Sequence, residues 1–232
     1  MNIILDCETI SFDYNCICDL AWALVSRNKV VTVKNFIVAE HLEKMATGNF
    51  SQPKMAKTLA EVTKGNAIIK AWDEIMGELL QDMNNANNVY AYNANFDRNA
   101  IIKTCKALQS EYTEQVETAN FFELWRDLWA WASNTILYKK SFIDFCEAHN
   151  LKTEKGYCST SAETCLKYIR NNPDYVEEHT ARADVLDEVE IYQTIKRAVK
   201  REYSDICPTD EQQNFKGKPF YTIDRLKKAM ES

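Results

Sequence analysis

The sequence predicts an α/β fold, a mixed sheet of about five strands flanked by helices. Three observations lead there. Breakers are scarce: 5 glycines and 4 prolines in 232 residues favour long helices over a many-turned all-β sandwich. Strand-like segments come first, at residues 3–7, 17–25 and 30–38. Helical spacing then takes over and alternates with short strand-like runs, the order of an α/β layer structure.

Each element has its own signal. Ile3, Ile4 and Leu5 read as a buried strand that runs into Asp6 and Cys7. Arg27-Asn28 lies between the next two apolar runs and predicts a hairpin, so the three strands form an antiparallel meander. Residues 39–66 are polar and mixed, an excursion with a short helix near 52–62. Ile68, Ile69, Trp72, Ile75, Met76, Leu79, Leu80 and Met83 recur at helical spacing and predict a helix over 68–83. The asparagine-rich run at 84–88 ends it, and Val89 to Tyr92 form a short strand. A second helix carries Ile101, Ile102, Cys105 and Leu108. The aromatic stretch 120–131 holds a strand entering a helix, with its rings read as core. Helices follow at 140–149, 160–170 and 180–203. No repeat or linker divides the chain, so residues 1–203 read as one domain, and 204–232 as a polar tail, basic towards its end, docked on it or loose.

Composition narrows the function. Hydrophobic residues at 46% supply a large core and exclude a disordered chain. No run approaches the ~18 apolar residues of a membrane helix, and the start lacks the basic and apolar regions of a signal peptide. A cytoplasmic protein without a membrane partner is expected. The 8 cysteines form no C-x-x-C pair, which argues against structural zinc and for reduced, small apolar side chains. A net charge of −6 excludes a strongly basic coat for nucleic acid. It leaves open a site that grips an anion through metal ions.

Three carboxylate-bearing segments carry chemistry. Asp6 and Glu8 are two apart on a strand and share a face, while Leu5 and Cys7 face the other way. Two adjacent carboxylates repel unless a cation bridges them. Asp97, in Tyr92-Asn93-Ala94-Asn95-Phe96-Asp97-Arg98, falls in the first turn of a helix capped by Asn95. In His179-Thr180-Ala181-Arg182-Ala183-Asp184, Thr180 caps the last long helix, Asp184 sits one turn in, and His179 lies just before it. Taken singly, each segment also reads as an ordinary surface or capping charge. A cysteine nucleophile is disfavoured, because Cys7 sits between two carboxylates on the opposite strand face.

In order and spacing, Asp6-x-Glu8-Thr9, Asn93-x-x-Phe96-Asp97 and His179-x-x-x-x-Asp184 resemble the three motifs of the DEDDh (DnaQ-like) 3′→5′ exonucleases. Cys18-Asp19-Leu20-Ala21 looks like the second-strand segment where many members carry an acidic residue. The resemblance spans residues 3–195. It departs where Ile10-Ser11 follows Thr9 in place of threonine and glycine, and where Tyr92 precedes Asn93 in place of histidine.

The resemblance implies an RNase H-like sheet and two Mg²⁺ or Mn²⁺ ions held by Asp6, Glu8, Asp97 and Asp184, with His179 as general base. It implies a phosphodiester hydrolase acting on single-stranded nucleic acid 3′ ends, DNA favoured over RNA. An RNA-directed member of the family and a non-catalytic binding module are the alternatives, and a polymerase or replication partner stays open. Glu8 and the backbone at Thr9 would meet the terminal nucleotide. Ile10 and Phe12 read equally as core residues or as wedges against the last base. Asn93 would orient the scissile phosphate or brace its loop.

Overall fold

The computed structural model describes residues 1–11, 14–47, 52–200 and 202–207, with backbone alone at 52–54. Strands β1 (Asn2–Thr9), β2 (Ile17–Ser26) and β3 (Lys29–Val38) form the expected antiparallel meander. Arg27 and Asn28 both have positive φ, 48° and 61°. That conformation gives a two-residue turn whose twist matches the strands it joins.

A 3₁₀ turn at Ala39–His41 leads into helices α1 (Leu42–Thr47) and α2 (Gln52–Thr63). Strand β4 (Ile68–Lys70) then pairs in parallel with β3. Helix α3 (Trp72–Asn84), strand β5 (Asn88–Ala91) and helix α4 (Ala94–Leu108) follow. Short helices α5 (Thr113–Val116) and α6 (Ala119–Glu123) lead to strand β6 (Trp125–Asp127). Helices α7 (Leu128–Ser133), α8 (Lys140–Ala148), α9 (Ala162–Ile169), α10 (Ala181–Ala198) and α11 (Tyr203–Ile206) complete the order.

The sheet runs β4-β3-β2-β1-β5-β6, with β5 parallel to β1. Among the described residues it is a mixed, six-stranded sheet flanked by helices, an α/β architecture. The sixth strand corrects the sequence reading, which began a helix at Ile68. Ile68 and Ile69 fit helical spacing, yet they are 56% and 40% exposed at the sheet edge, and the helix starts at Trp72. A short apolar run satisfies both periodicities, so spacing alone did not resolve it.

Two compact units are present: Met1–Arg126 with Glu178–Val189, and Asp127–Glu177 with the residues from Glu190 on. In the first, one sheet face packs Leu5, Cys7, Leu20, Trp22 and Phe36 against Trp72, Ile75 and Leu79 of α3 and Ile101 and Cys105 of α4. The Trp22 indole N–H donates to Asp82 at 2.8 Å, and Lys34 bridges Asp82 and Glu78. Strand alternation sends Asp6, Glu8 and Asp19 to the other face.

In the second unit, Asp127 caps α7 by accepting the amides of Trp129 and Ala130, and Ser161 caps α9. Trp131 meets Tyr192 and Tyr203 edge-on, while Tyr168 packs between Phe142 and Phe145. All eight cysteines are buried, free thiols. Among the described residues, no helix is long and apolar enough to cross a membrane. The basic stretch of the tail lies outside the described residues.

Candidate active site

The site begins with strand β1. Asp6 lies across from Ala21 and Glu8 across from Asp19 on β2, and the pairing shifts at a bulge between Glu8 and Thr9. The bulge re-aims the strand just past its second carboxylate.

The parallel ladder between β1 and β5 is short. It ends at Ile4 opposite Tyr90, while β1 continues to Thr9. Strand β5 stops at Ala91, and the chain turns through Asn93 in the left-handed region, φ 68°. Beyond the ladder, the Cys7 amide donates instead to Asp97 Oδ1, at 3.1 Å. Asp97 is 2% exposed and lies in the first turn of α4. A carboxylate is favourable at a helix N-terminus, and here it also satisfies a buried strand amide. The cap position of α4 belongs to Asn93, which corrects the expectation of Asn95. Asn95 lies within the helix and accepts a hydrogen bond from Arg98 at 2.6 Å. The left-handed turn starts the helix two residues earlier than a side-chain cap at Asn95 would.

The third segment is the start of α10. The Ala183 amide donates to Thr180 Oγ1 at 3.4 Å, and the Asp184 amide to the Thr180 carbonyl at 3.0 Å. Thr180 therefore caps the helix as the sequence suggests. Asp19, fully buried, accepts the Ala181 amide at 3.3 Å and the Asn35 side-chain amide at 2.5 Å. Asp19 thus ties the strand beside Glu8 to the first turn of the helix that carries Asp184. His179 is exposed and holds a left-handed backbone, φ 57°. One ligand atom each of Glu8, His179 and Asp184 lies within 4.8 Å of the others.

The electrostatics centre on Asp6. Burial pushes its carboxyl well above the usual range, and the charges of Asp97, Glu188, Asp184 and Glu8 push it further the same way. The Cys7 thiol is raised by burial and by Asp97 and Asp6, which makes it a poor nucleophile. A buried group of carboxylates is costly without compensating positive charge. Hard divalent cations take carboxylate oxygens. Asp6, Glu8, Asp97 and Asp184 therefore have the donor chemistry to hold them.

Other expected residues sit as follows. Thr9 is partly buried at the bulge, and Asn93 is exposed at its turn. Ile10 is 6% exposed and packs with Cys18, Ile37, Met45 and Ala67, so it offers little surface to a base. Phe12 lies outside the described residues. Sequence reasoning passed over Glu188 and Asn35. Glu188 lies four residues after Asp184, one helical turn further along the same face, and that spacing was the available signal. Asn35 sits one strand further out and carries no such signal.

No family model matches the chain. No curated protein matches it either. Among solved structures it resembles exonuclease X in complex with 5′ overhanging duplex DNA, at 14% identity and a TM-score of 0.44, over 89% of this chain and 97% of that one. A likeness that distant carries no conclusion about activity.

Proposed function

We propose that the chain is a metal-dependent 3′→5′ exonuclease that releases nucleoside monophosphates from single-stranded DNA 3′ ends. The observation that carries this reading is the convergence of Glu8, His179 and Asp184 within 4.8 Å, beside an Asp6 crowded by further carboxylates. The order of the three motifs in the sequence supports it.

Asp6, Glu8, Asp97 and Asp184 would hold two divalent cations, Mg²⁺ or Mn²⁺. Such ions, when bound, supply Lewis acidity, a more acidic water and positive charge against the phosphodiester. The carboxylates alone would repel that anionic substrate, so metal dependence follows from the charge of the site. His179 accepts the proton of the attacking water. An imidazole is suited to that task near neutral pH, and exposure lets it reach solvent. Asp97 keeps the end of β1 aligned with α4 through the Cys7 amide. Thr180 and Asp19 set the start of α10, and with it the spacing of His179 and Asp184 from Glu8. Glu8 and the backbone at Thr9 would meet the terminal nucleotide, the exposed Asn93 would orient the scissile phosphate or brace its loop, and Phe12 is the remaining base contact to test.

The test is a time course on 5′-labelled single-stranded DNA and RNA of one sequence, with Mg²⁺, with Mn²⁺ and with EDTA. A ladder shortening from the 3′ end, abolished by EDTA and by Asp184→Ala, is the expected result. His179→Ala should lose most turnover and keep binding metal. The faster substrate decides between DNA and RNA. No ladder with either ion would refute the nuclease reading and favour a binding module.

A further inference from the structure

The turn that carries His179 is secured on its C-terminal side by groups already described. Thr180, 2% exposed, caps α10, and Asp19 takes the Ala181 amide. Glu178 and His179 come just before, exposed and outside any helix or strand. The His179 backbone is left-handed, φ 57°, a conformation disfavoured for any residue with a Cβ. That φ depends on the orientation of the peptide joining Glu178 to His179. The carbonyl of this peptide accepts a hydrogen bond from Lys57 Nζ at 3.0 Å. Lys57 belongs to α2, and both ends of the contact lie in the first compact unit.

Helix α2 is itself seated. Met55 and Val62 pack with Ile10, Ile37 and Ala67, and Thr58 is fully buried. Positions 55, 58 and 62 share one helix face, and 57 and 61 lie one turn apart beside it. Glu61 accepts hydrogen bonds from Lys64 at 2.8 Å and from Asn66 at 3.0 Å. Burial alone would raise its carboxyl, yet Lys64 and Asn66, with the charge of Arg182, hold it below the usual range. Arg182 lies in the first turn of α10, so α2 acts on this segment on both sides of Thr180. Resting on the nuclease reading above, we propose that Lys57 is a positioning residue for His179. By clasping the Glu178 carbonyl it keeps the imidazole turned towards Glu8 and Asp184, one ligand atom of each lying within 4.8 Å of the others. The peptide cannot rotate out of its left-handed setting without breaking a charge-assisted hydrogen bond, which is stronger than a neutral one. Losing that bond releases the general base and leaves the carboxylates in place, so turnover falls while substrate binding does not.

The experiment compares wild type, Lys57→Met, Lys57→Arg and Lys140→Met as full chains. Methionine keeps an unbranched stem and removes the donor, whereas arginine keeps donors. Lys140 is an exposed lysine of α8 and controls for the lost charge. Lys57 is exposed, so its variants should fold. Two readouts are taken: kcat and KM on 5′-labelled single-stranded DNA with Mg²⁺, and the backbone order parameter of the His179 amide by NMR without metal. Lys57→Met should lower kcat roughly 10-fold, the scale of one hydrogen bond, with KM unchanged. Its His179 order parameter should fall from about 0.85 to below about 0.6. Lys57→Arg should restore most of both, and Lys140→Met should match wild type. Unchanged kcat in Lys57→Met beside an active wild type overturns the positioning role. A raised KM at unchanged kcat also overturns it, and makes Lys57 a contact to the substrate phosphates. A wild type that cuts neither DNA nor RNA overturns the nuclease reading instead, and the NMR comparison still decides whether Lys57 holds the turn.

Discussion

Asp184→Asn should make the metal-free protein more stable. Oxygens of Asp184 and Glu8 lie within 4.8 Å of one another. Two unit charges at 4.8 Å repel by about 0.9 kcal/mol at the dielectric of water and by about 3.5 kcal/mol at an effective dielectric near 20. Both side chains are partly buried, so the expected gain lies between these limits, about 1–3 kcal/mol. Asparagine preserves the shape of the side chain and keeps one carbonyl acceptor. The measurement is urea unfolding at low ionic strength, where salt screens the carboxylate pair least. EDTA removes divalent ions. For a chain of this size the gain corresponds to a rise in Tm of roughly 2–4 °C per kcal/mol. Added Mg²⁺ should reverse the order, because wild type would gain binding free energy and the variant lacks one of the proposed ligands. An apo variant as stable as wild type or less stable would refute the reasoning, since the two carboxylates would then not be repelling each other in the folded chain.

Two further outcomes follow from the same electrostatics. The Asp6 carboxyl is raised in the folded state, so its contribution to stability is full below the ordinary carboxylate value of about 3.9 and is lost as pH rises through the folded value. Without divalent ions, the stability of wild type relative to Asp6→Asn should therefore fall as pH rises from about 4 towards neutrality; a difference that stays flat with pH contradicts this. The eight buried thiols should resist alkylation in the native protein, with Cys207, pushed up to about 11 by burial, unreactive near neutral pH. Mass spectrometry after brief exposure to iodoacetamide, with and without urea, checks it: prompt labelling of several cysteines in the native state would show that the burial is not maintained in solution.

The strands were legible because their patterns were unambiguous. Ile17–Ser26 is apolar nearly throughout, and Arg27-Asn28 marks a turn by composition. Asp6 and Glu8 could be placed on one face because strand alternation leaves no choice. Thr180 was readable as a cap because Asp184 follows at the spacing of one turn. The edge strand Ile68–Lys70 was not, since three residues carry too little periodicity to separate a strand from a helix start. The left-handed turn at Asn93 was missed for a related reason. Asn93 and Asn95 are both good caps, and only the end of β5 decides between them. The contact of Glu188 with the Tyr92 amide could not be read, because the two lie 96 residues apart in sequence.

The same topology explains why charge gathers at this point in the fold. Strand β1 outlasts its parallel partner β5, ending at Thr9 while the ladder stops at Ile4. The stretch of β1 beyond that ladder satisfies its amides from elsewhere, and Asp97 does so at the buried Cys7 amide. The amide of Tyr92, just beyond the end of β5, is likewise taken by Glu188. At the β2 side, Asp19 takes the first amide of α10. Each of these carboxylates solves a local hydrogen-bonding problem, and Asp97 and Glu188 thereby add negative charge near Asp6. The backbone amides offset part of that charge but cannot neutralise it, because each supplies only a dipole. What remains is a deficit of positive charge beside Asp6, which protons can fill at low pH and divalent cations can fill at neutral pH. The competition between the two is the physical link between the fold and the metal-dependent chemistry proposed for it.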